Sequence, residues 1–438
     1  MNSTSIVIRN FLDRYSQINW ALLDQAMVSG VNFFTGIILV RFLGLEEFGR
    51  FTLTWLIILF FNSIQFSAVI SPMMSIGPKQ AERELQQYYG AVVLQQLFWS
   101  GLCVISIFTC VWGSQFFVDW QIHTLAAPLS AALLAVQSQD FLRRYFFVRK
   151  RAALAFGNDC ICYLARLLLL VVFFKFRVLD IKEVLWLIAF TAALAAVIGF
   201  FKTERLIFSR IFVYRVITDH WHFSKWLIVS ALMQWTSGNF FLIVAGDILG
   251  LLAVGAIKAA QNIFGITHVF FQALENIVPS RASFFYKQGG ITSLLNYLKR
   301  VSFIGGVVTL FIILIVSLFP KLWISLFYGE NYSEISYVLL WYGPVYLCVF
   351  FGLSLRSGLR SVNYTKAIFI GYLAMTLFSL ISAYPMINWL KIHGAMMGIL
   401  ATQIIFLSIS SILFLFKIKN ELNLNINNKN YIFRKFYG

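Results

Sequence analysis

The sequence predicts an all-α polytopic membrane protein of about twelve transmembrane helices in two pseudo-symmetric six-helix bundles, and three observations predict it. Of 438 residues, 60% are hydrophobic and 12% charged, with a mean hydropathy of +0.78, which is more apolar surface than one water-soluble core can hide. Apolar runs that can cross about 30 Å of hydrocarbon at about 1.5 Å per residue recur along the chain, and they are too long for barrel strands. The third observation is a repeat. Ser29-Gly30-Val31-Asn32-Phe33-Phe34, then Leu43-Gly44 and Gly49, is echoed by Ser237-Gly238-Asn239-Phe240-Phe241, Leu249-Gly250 and Gly255. Each copy opens the hydrophobic helices of its half.

The expected spans lie near 20–40, 51–70, 90–112, 122–142, 154–174, 183–201, 226–246, 251–275, 301–320, 337–355, 367–387 and 394–416. The first follows a polar tail and lacks a small-residue cleavage site, so it reads as a retained helix rather than a cleaved signal. Trp20, Trp112, Trp120, Trp226, Trp323 and Trp389 fall at span ends, where amphipathic rings favour the headgroup zone. With the N-terminus inside, the cytoplasmic segments carry 26 Lys and Arg and the outer loops 7. This bias selects N-in and C-in.

Four segments follow: a six-helix lobe over 1–201, a basic cytoplasmic linker over 202–225, a second lobe over 226–416 and an Asn-rich flexible cytoplasmic tail over 417–438. Six is even, so both lobes enter from the same side and the repeat is parallel, with a cleft between lobes. The formal charge of +17 is then explained by topology and anionic lipid heads, without nucleic acid. Arg143-Arg144 with Arg149-Lys150-Arg151 reads as a topology anchor.

Cys160 and Cys162 are two apart and diverge around a helix, and His220 and His222 lack zinc-ligand spacing, so no metal site or cofactor is expected. Pro128 and Pro344 fall inside expected helices, where each permits a kink.

Ionisable groups inside hydrocarbon are functional candidates by default. Arg166 lies 12 residues beyond Leu154, about 18 Å into the bilayer. Asp159, seven residues earlier on nearly the same face, is its expected partner. The eighth span carries Lys258, Gln261, Asn262, Gly265, His268, Gln272 and Glu275 at three- and four-residue steps, a polar wall along one face. The first span matches it with Gln25, Ser29, Asn32 and Gly36, and Asp24 stands at the start of that stripe. The seventh adds Gln234, Ser237, Gly238 and Asn239. Asp24, Asp159 and Glu275 are candidates for binding a coupling H+ or Na+, and Gln25, Ser29, Asn32, Asn239, Gln261, Asn262 and His268 for a polar cavity. Small residues and amides also simply glue helices together.

Asp24-Gln25, Ser29-Gly30, Asn32-Phe33, Arg41, Leu43-Gly44 and Phe48-Gly49, with the size and the 6+6 repeat, resemble the oligosaccharide flippases of the multidrug, oligosaccharidyl-lipid and polysaccharide exporter superfamily. The resemblance implies flipping of undecaprenyl-pyrophosphate-linked repeat units across a bacterial inner membrane for O-antigen or capsule synthesis, alongside other polysaccharide assembly proteins. It implies cavity cations for the diphosphate, with Arg166 and Lys258 the candidates, because Arg and Lys suit phosphates while amides and aromatic faces suit sugars. A cation-coupled drug extruder of the same superfamily is the alternative. A membrane polymerase or ligase acting on the same lipid-linked sugars is disfavoured, because no long outer loop, paired-carboxylate motif or nucleophile triad is present; the chain is not expected to be an enzyme.

Overall fold

The computed structural model describes residues 3–113, 122–176 and 180–437, with side chains from Asn19 to Glu421 except at 122, 266, 268, 269, 273 and 276; Trp120 lies outside the described residues. The helices are α1 (Ser3–Gln65), α2 (Ser71–Ile76), α3 (Leu85–Gly113), α4 (Ala126–Val148), α5 (Ala152–Asp159), α6 (Ala165–Phe176), α7 (Ile181–Phe201), α8 (Arg210–Leu249), α9 (Leu251–Ile263), α10 (Gly265–Leu318), α11 (Pro320–Tyr328), α12 (Ser336–Ser361) and α13 (Thr365–Tyr437). Each of the twelve expected spans falls on helix.

The longest helices hold two spans each, divided at backbone breaks. Gly44 divides α1 at φ 77°, ψ 171°, a conformation open essentially to glycine alone. Gly289-Gly290 interrupts α10, and Lys391 interrupts α13. Pro344 lies inside α12 as expected, but Pro128 sits in the first turn of α4. There its missing N–H has no helical partner to lose, so it starts the helix rather than kinking it. The linker is helical from Arg210 onward, continuous with the seventh span, and the helix of the C-terminal tail runs to Tyr437.

The chain divides into two compact units. The first comprises Met1–Trp235 with Gly250–Asn262, the second Thr236–Leu249 with Ile263–Gly438. In the first unit α4 packs against both α3 and α7. Thr191, Ala192, Ala195 and Gly199 recur at helical spacing on the buried side of α7, and such small residues let helices approach closely where lipid supplies no hydrophobic drive. Tyr88, Tyr89, Phe141, Tyr145 and Phe146 belong to a buried cluster at one end of α3 and α4. In the second unit α12 is the corresponding hub, packed on α10 and α13, over a core that includes Leu298, Leu359, Met375, Phe406 and Phe414.

The repeat is legible in backbone detail. Gly250 caps α8 at φ 84°, ψ 175°, matching Gly44. Within the first unit Gly49 abuts the carbonyl of Leu251, and Gly255 abuts the carbonyl of Leu45. These are reciprocal contacts between equivalent positions, and a Cβ at either glycine has no room. The hubs also end alike: Arg151 N bonds Phe146 O at 2.8 Å and Tyr364 N bonds Leu359 O at 2.9 Å, around Lys150 (φ 57°) and Asn363 (φ 54°).

Candidate functional site

Gln139, Arg143 and Phe147 follow one another at four-residue steps on α4 and so share a face. That face is turned into the first unit. The Arg143 guanidinium spans two carboxylates from different helices: Nη2 lies 2.6 Å from Asp24 Oδ2 on α1, and Nε lies 2.6 Å from Asp159 Oδ2 at the end of α5. Its carbon sits 5.8 Å from the Phe147 ring centroid. Both acids are fully buried. Gln139 Nε2 donates to Asp159 Oδ1 at 2.6 Å and to Asn158 Oδ1 at 3.0 Å, and Asn158 Nδ2 donates to the Ala195 carbonyl on α7 at 2.6 Å. Trp20 and Phe156 pack 5.2 Å apart alongside.

With both acids ionised this cluster holds two negative charges against one positive. Asp24 Oδ1 is buried without a hydrogen-bond partner, and such an atom in low dielectric is costly. It is a ready acceptor for a proton or a monovalent cation.

Asp159 does not pair with Arg166, contrary to the sequence expectation. A π-helical turn, Cys160–Leu164, lies between them. Such a turn inserts a residue, so two groups that would share a face in a regular helix are rotated apart by about 100°. Arg166 is buried, donates from Nη2 to Cys162 Sγ at 3.4 Å, and lies over the Tyr163 ring at 5.1 Å. Its Nε has no hydrogen-bond partner. Lys258 Nζ, on α9, donates to Gln261 Oε1 at 2.7 Å. Among the described residues neither Arg166 nor Lys258 has a carboxylate in ion-pair range.

Of the other expected polar groups, Gln25 donates to Ser29 at 3.2 Å. Asn262 donates to the Phe33 carbonyl at 3.2 Å and fills the space over Gly36, so the stripes of the first and eighth spans meet there. Asn32 is exposed, and Asn239 is part-buried in the second unit. Glu275 is half-exposed, 3.6 Å from Arg356. The His268 side chain lies outside the described residues.

Sequence reasoning took Arg143 for a topology anchor because it stands in a basic cluster. Its four-residue spacing from Gln139 was the available signal that it faces inward. Also missed was a buried amide network in the first unit: Gln65 donates to Gln96 at 3.0 Å and to the Gln137 carbonyl at 2.9 Å, and Gln96 reaches Gln137 through Ser100.

A family model described as MatE matches residues 227–385. No curated protein matches the chain. Solved structures similar to it include an inward-facing multidrug resistance MATE family transporter of the MOP superfamily, at 13% identity and TM-score 0.68, covering 92% of this chain and 95% of that one. The chain has the MATE/MOP transporter fold. Sharing this MOP fold, the lipid II flippase MurJ in an inward closed conformation is similar at 14% identity and TM-score 0.68, over 92% and 87% of the two chains. A MOP superfamily transporter from Pyrococcus furiosus is similar at 12% identity and TM-score 0.65, over 92% and 95%. The MOP fold makes this a polytopic membrane protein.

Proposed function

We propose that the protein is a transporter that flips an undecaprenyl-pyrophosphate-linked oligosaccharide from the cytoplasmic to the outer leaflet of a bacterial inner membrane, by alternating access. The observation that carries this reading is that Arg166 and Lys258, cations within membrane spans, have no carboxylate partner among the described residues. A cation in hydrocarbon needs a counter-charge or water, and a diphosphate head supplies that charge with strong acceptors. The structural likeness to a lipid II flippase supports the same substrate class. In this mechanism Arg166 and Lys258 hold the diphosphate, amides such as Asn262 and Gln261 meet sugar hydroxyls, and the lipid tail stays in the bilayer. The Asp24–Arg143–Asp159 cluster supplies the driving step: H+ or Na+ binding at its surplus carboxylate neutralises the buried charge and favours one access state over the other.

A second reading, export of cationic drugs, is favoured by that same surplus carboxylate and by the MatE match. Arg166→Ala and Lys258→Ala separate the two. Under the flippase reading each variant inserts normally but abolishes surface glycan and leaves lipid-linked repeat units on the inner leaflet. Normal glycan in both removes these residues from the substrate site.

A further inference from the structure

The first stretch of α8 has two distinct faces. Val216, His220 and Ser224 are buried. Val216 joins the Tyr88, Tyr145 and Phe146 cluster, and His220 Nε2 lies 3.0 Å from the Tyr88 hydroxyl. Just before the helix, Ile207 N donates to the Gln86 carbonyl at 3.1 Å, and Arg215 pairs with Glu84 at 3.3 Å. This face clamps the segment to the ends of α3 and α4, at the side that the Lys and Arg distribution assigns to the cytoplasm.

A second face is apolar and bare. Ile211 is 80% exposed, Tyr214 78%, Ile217 48% and Trp221 61%. At about 100° per residue these four fall within an arc of about 120°. Arg210 and Lys225 project from the same arc, and Lys202 and Arg205 immediately precede the helix. None of these four cations forms an ion pair among the described residues, whereas the acids nearby are engaged: Glu204 with Arg149 and Arg151, Asp219 with Arg215.

We propose that residues 210–225, the start of α8, are an interfacial anchor on anionic phospholipid of the cytoplasmic leaflet. Ile211, Tyr214, Ile217 and Trp221 enter the headgroup–acyl boundary, and Arg210, Lys225, Lys202 and Arg205 meet lipid phosphates. An apolar stripe ringed by unpaired cations, held at the level of span ends, is the chemistry of an interfacial helix. A second copy of the chain is a poorer occupant, because it brings the same four cations to the contact. The inference is independent of what is transported.

A spin label at Tyr214→Cys tests it, with the five native cysteines replaced by Ser and the full chain in vesicles of phosphatidylethanolamine and phosphatidylglycerol. The expected result is collision with oxygen but not with a water-soluble nickel chelate, at a depth of about 5–10 Å below the phosphates. Exchanging Arg210 and Lys225 for Ser then makes the label shallower in these vesicles and leaves it unchanged in neutral phosphatidylcholine. Free collision with the chelate, meaning water, overturns the proposal, as does protection from both reagents, meaning a protein cover. Should the cysteine-free chain fail to insert, quenching of the native protein by bromine-labelled lipid provides the readout. Quenching that falls in Trp221→Phe supports the anchor, and equal quenching of the two proteins contradicts it.

Discussion

Arg143 illustrates how one side chain decides the electrostatics of a lobe. Its planar fork reaches acids on two helices at once, a geometry that the point charge of lysine does not reproduce. Arg143→Ala strands two buried carboxylates and is expected to cost about 3–5 kcal/mol, seen as a marked fall in thermal midpoint in detergent. Asp159→Asn keeps the Asp24 pair and removes the surplus charge; it is expected to insert stably while losing any dependence of transport on the H+ or Na+ gradient. Gradient-driven transport that survives in Asp159→Asn excludes this cluster as the coupling site. The identities of Asp24, Asp159, Arg166 and Lys258 as unusual groups were legible in sequence, since charges in apolar runs stand out. Their partnerships were not. The π-turn between Asp159 and Arg166 changes helical register without leaving a signature in residue type, and Arg143 is hidden among basic neighbours.

Among the elements, the glycines of the repeat have a physical reason for recurring. Gly44 and Gly250 hold a conformation that a side chain would strain, and Gly49 and Gly255 admit the carbonyls of Leu251 and Leu45. Gly49→Val forces α1 and α9 apart and is expected to reduce folded yield in the membrane, whereas Gly30→Val, where no atom stands near the added Cβ, is expected to be tolerated; comparing the monodisperse peak of each variant in size-exclusion chromatography checks this. Equal yields argue that the close contact is dispensable. The glycine spacing that first suggested a duplication thus marks a packing contact. Pro128 shows the limit of such reading, because whether a proline opens a helix or interrupts it depends on where the helix begins, and the chain before α4 carries no strong start signal.

At the scale of the molecule, helix positions were readable because each apolar run must satisfy its own backbone in lipid. The hubs α4 and α12 share a C-terminal turn, and seven residues before Lys150 and Asn363 stand Arg143 and Arg356, in equivalent positions. The chemistry around them has diverged. Arg143 is enclosed between two buried acids, whereas Arg356 lies 3.6 Å from the half-exposed Glu275 and over the Phe406 ring at 5.6 Å. The proposed coupling ion therefore has its site in the first unit, where the surplus buried carboxylate lies. The central claim, that unpaired cations carry a lipid diphosphate, is tested most directly in proteoliposomes loaded with a fluorescent undecaprenyl-pyrophosphate oligosaccharide, by following its exposure to an impermeant quencher on the far leaflet. The account predicts flipping by the native protein that falls about tenfold or more in Arg166→Ala, the worth of one charge-assisted hydrogen bond. No flipping by the native protein, together with gradient-driven uptake of a cationic dye, would contradict it.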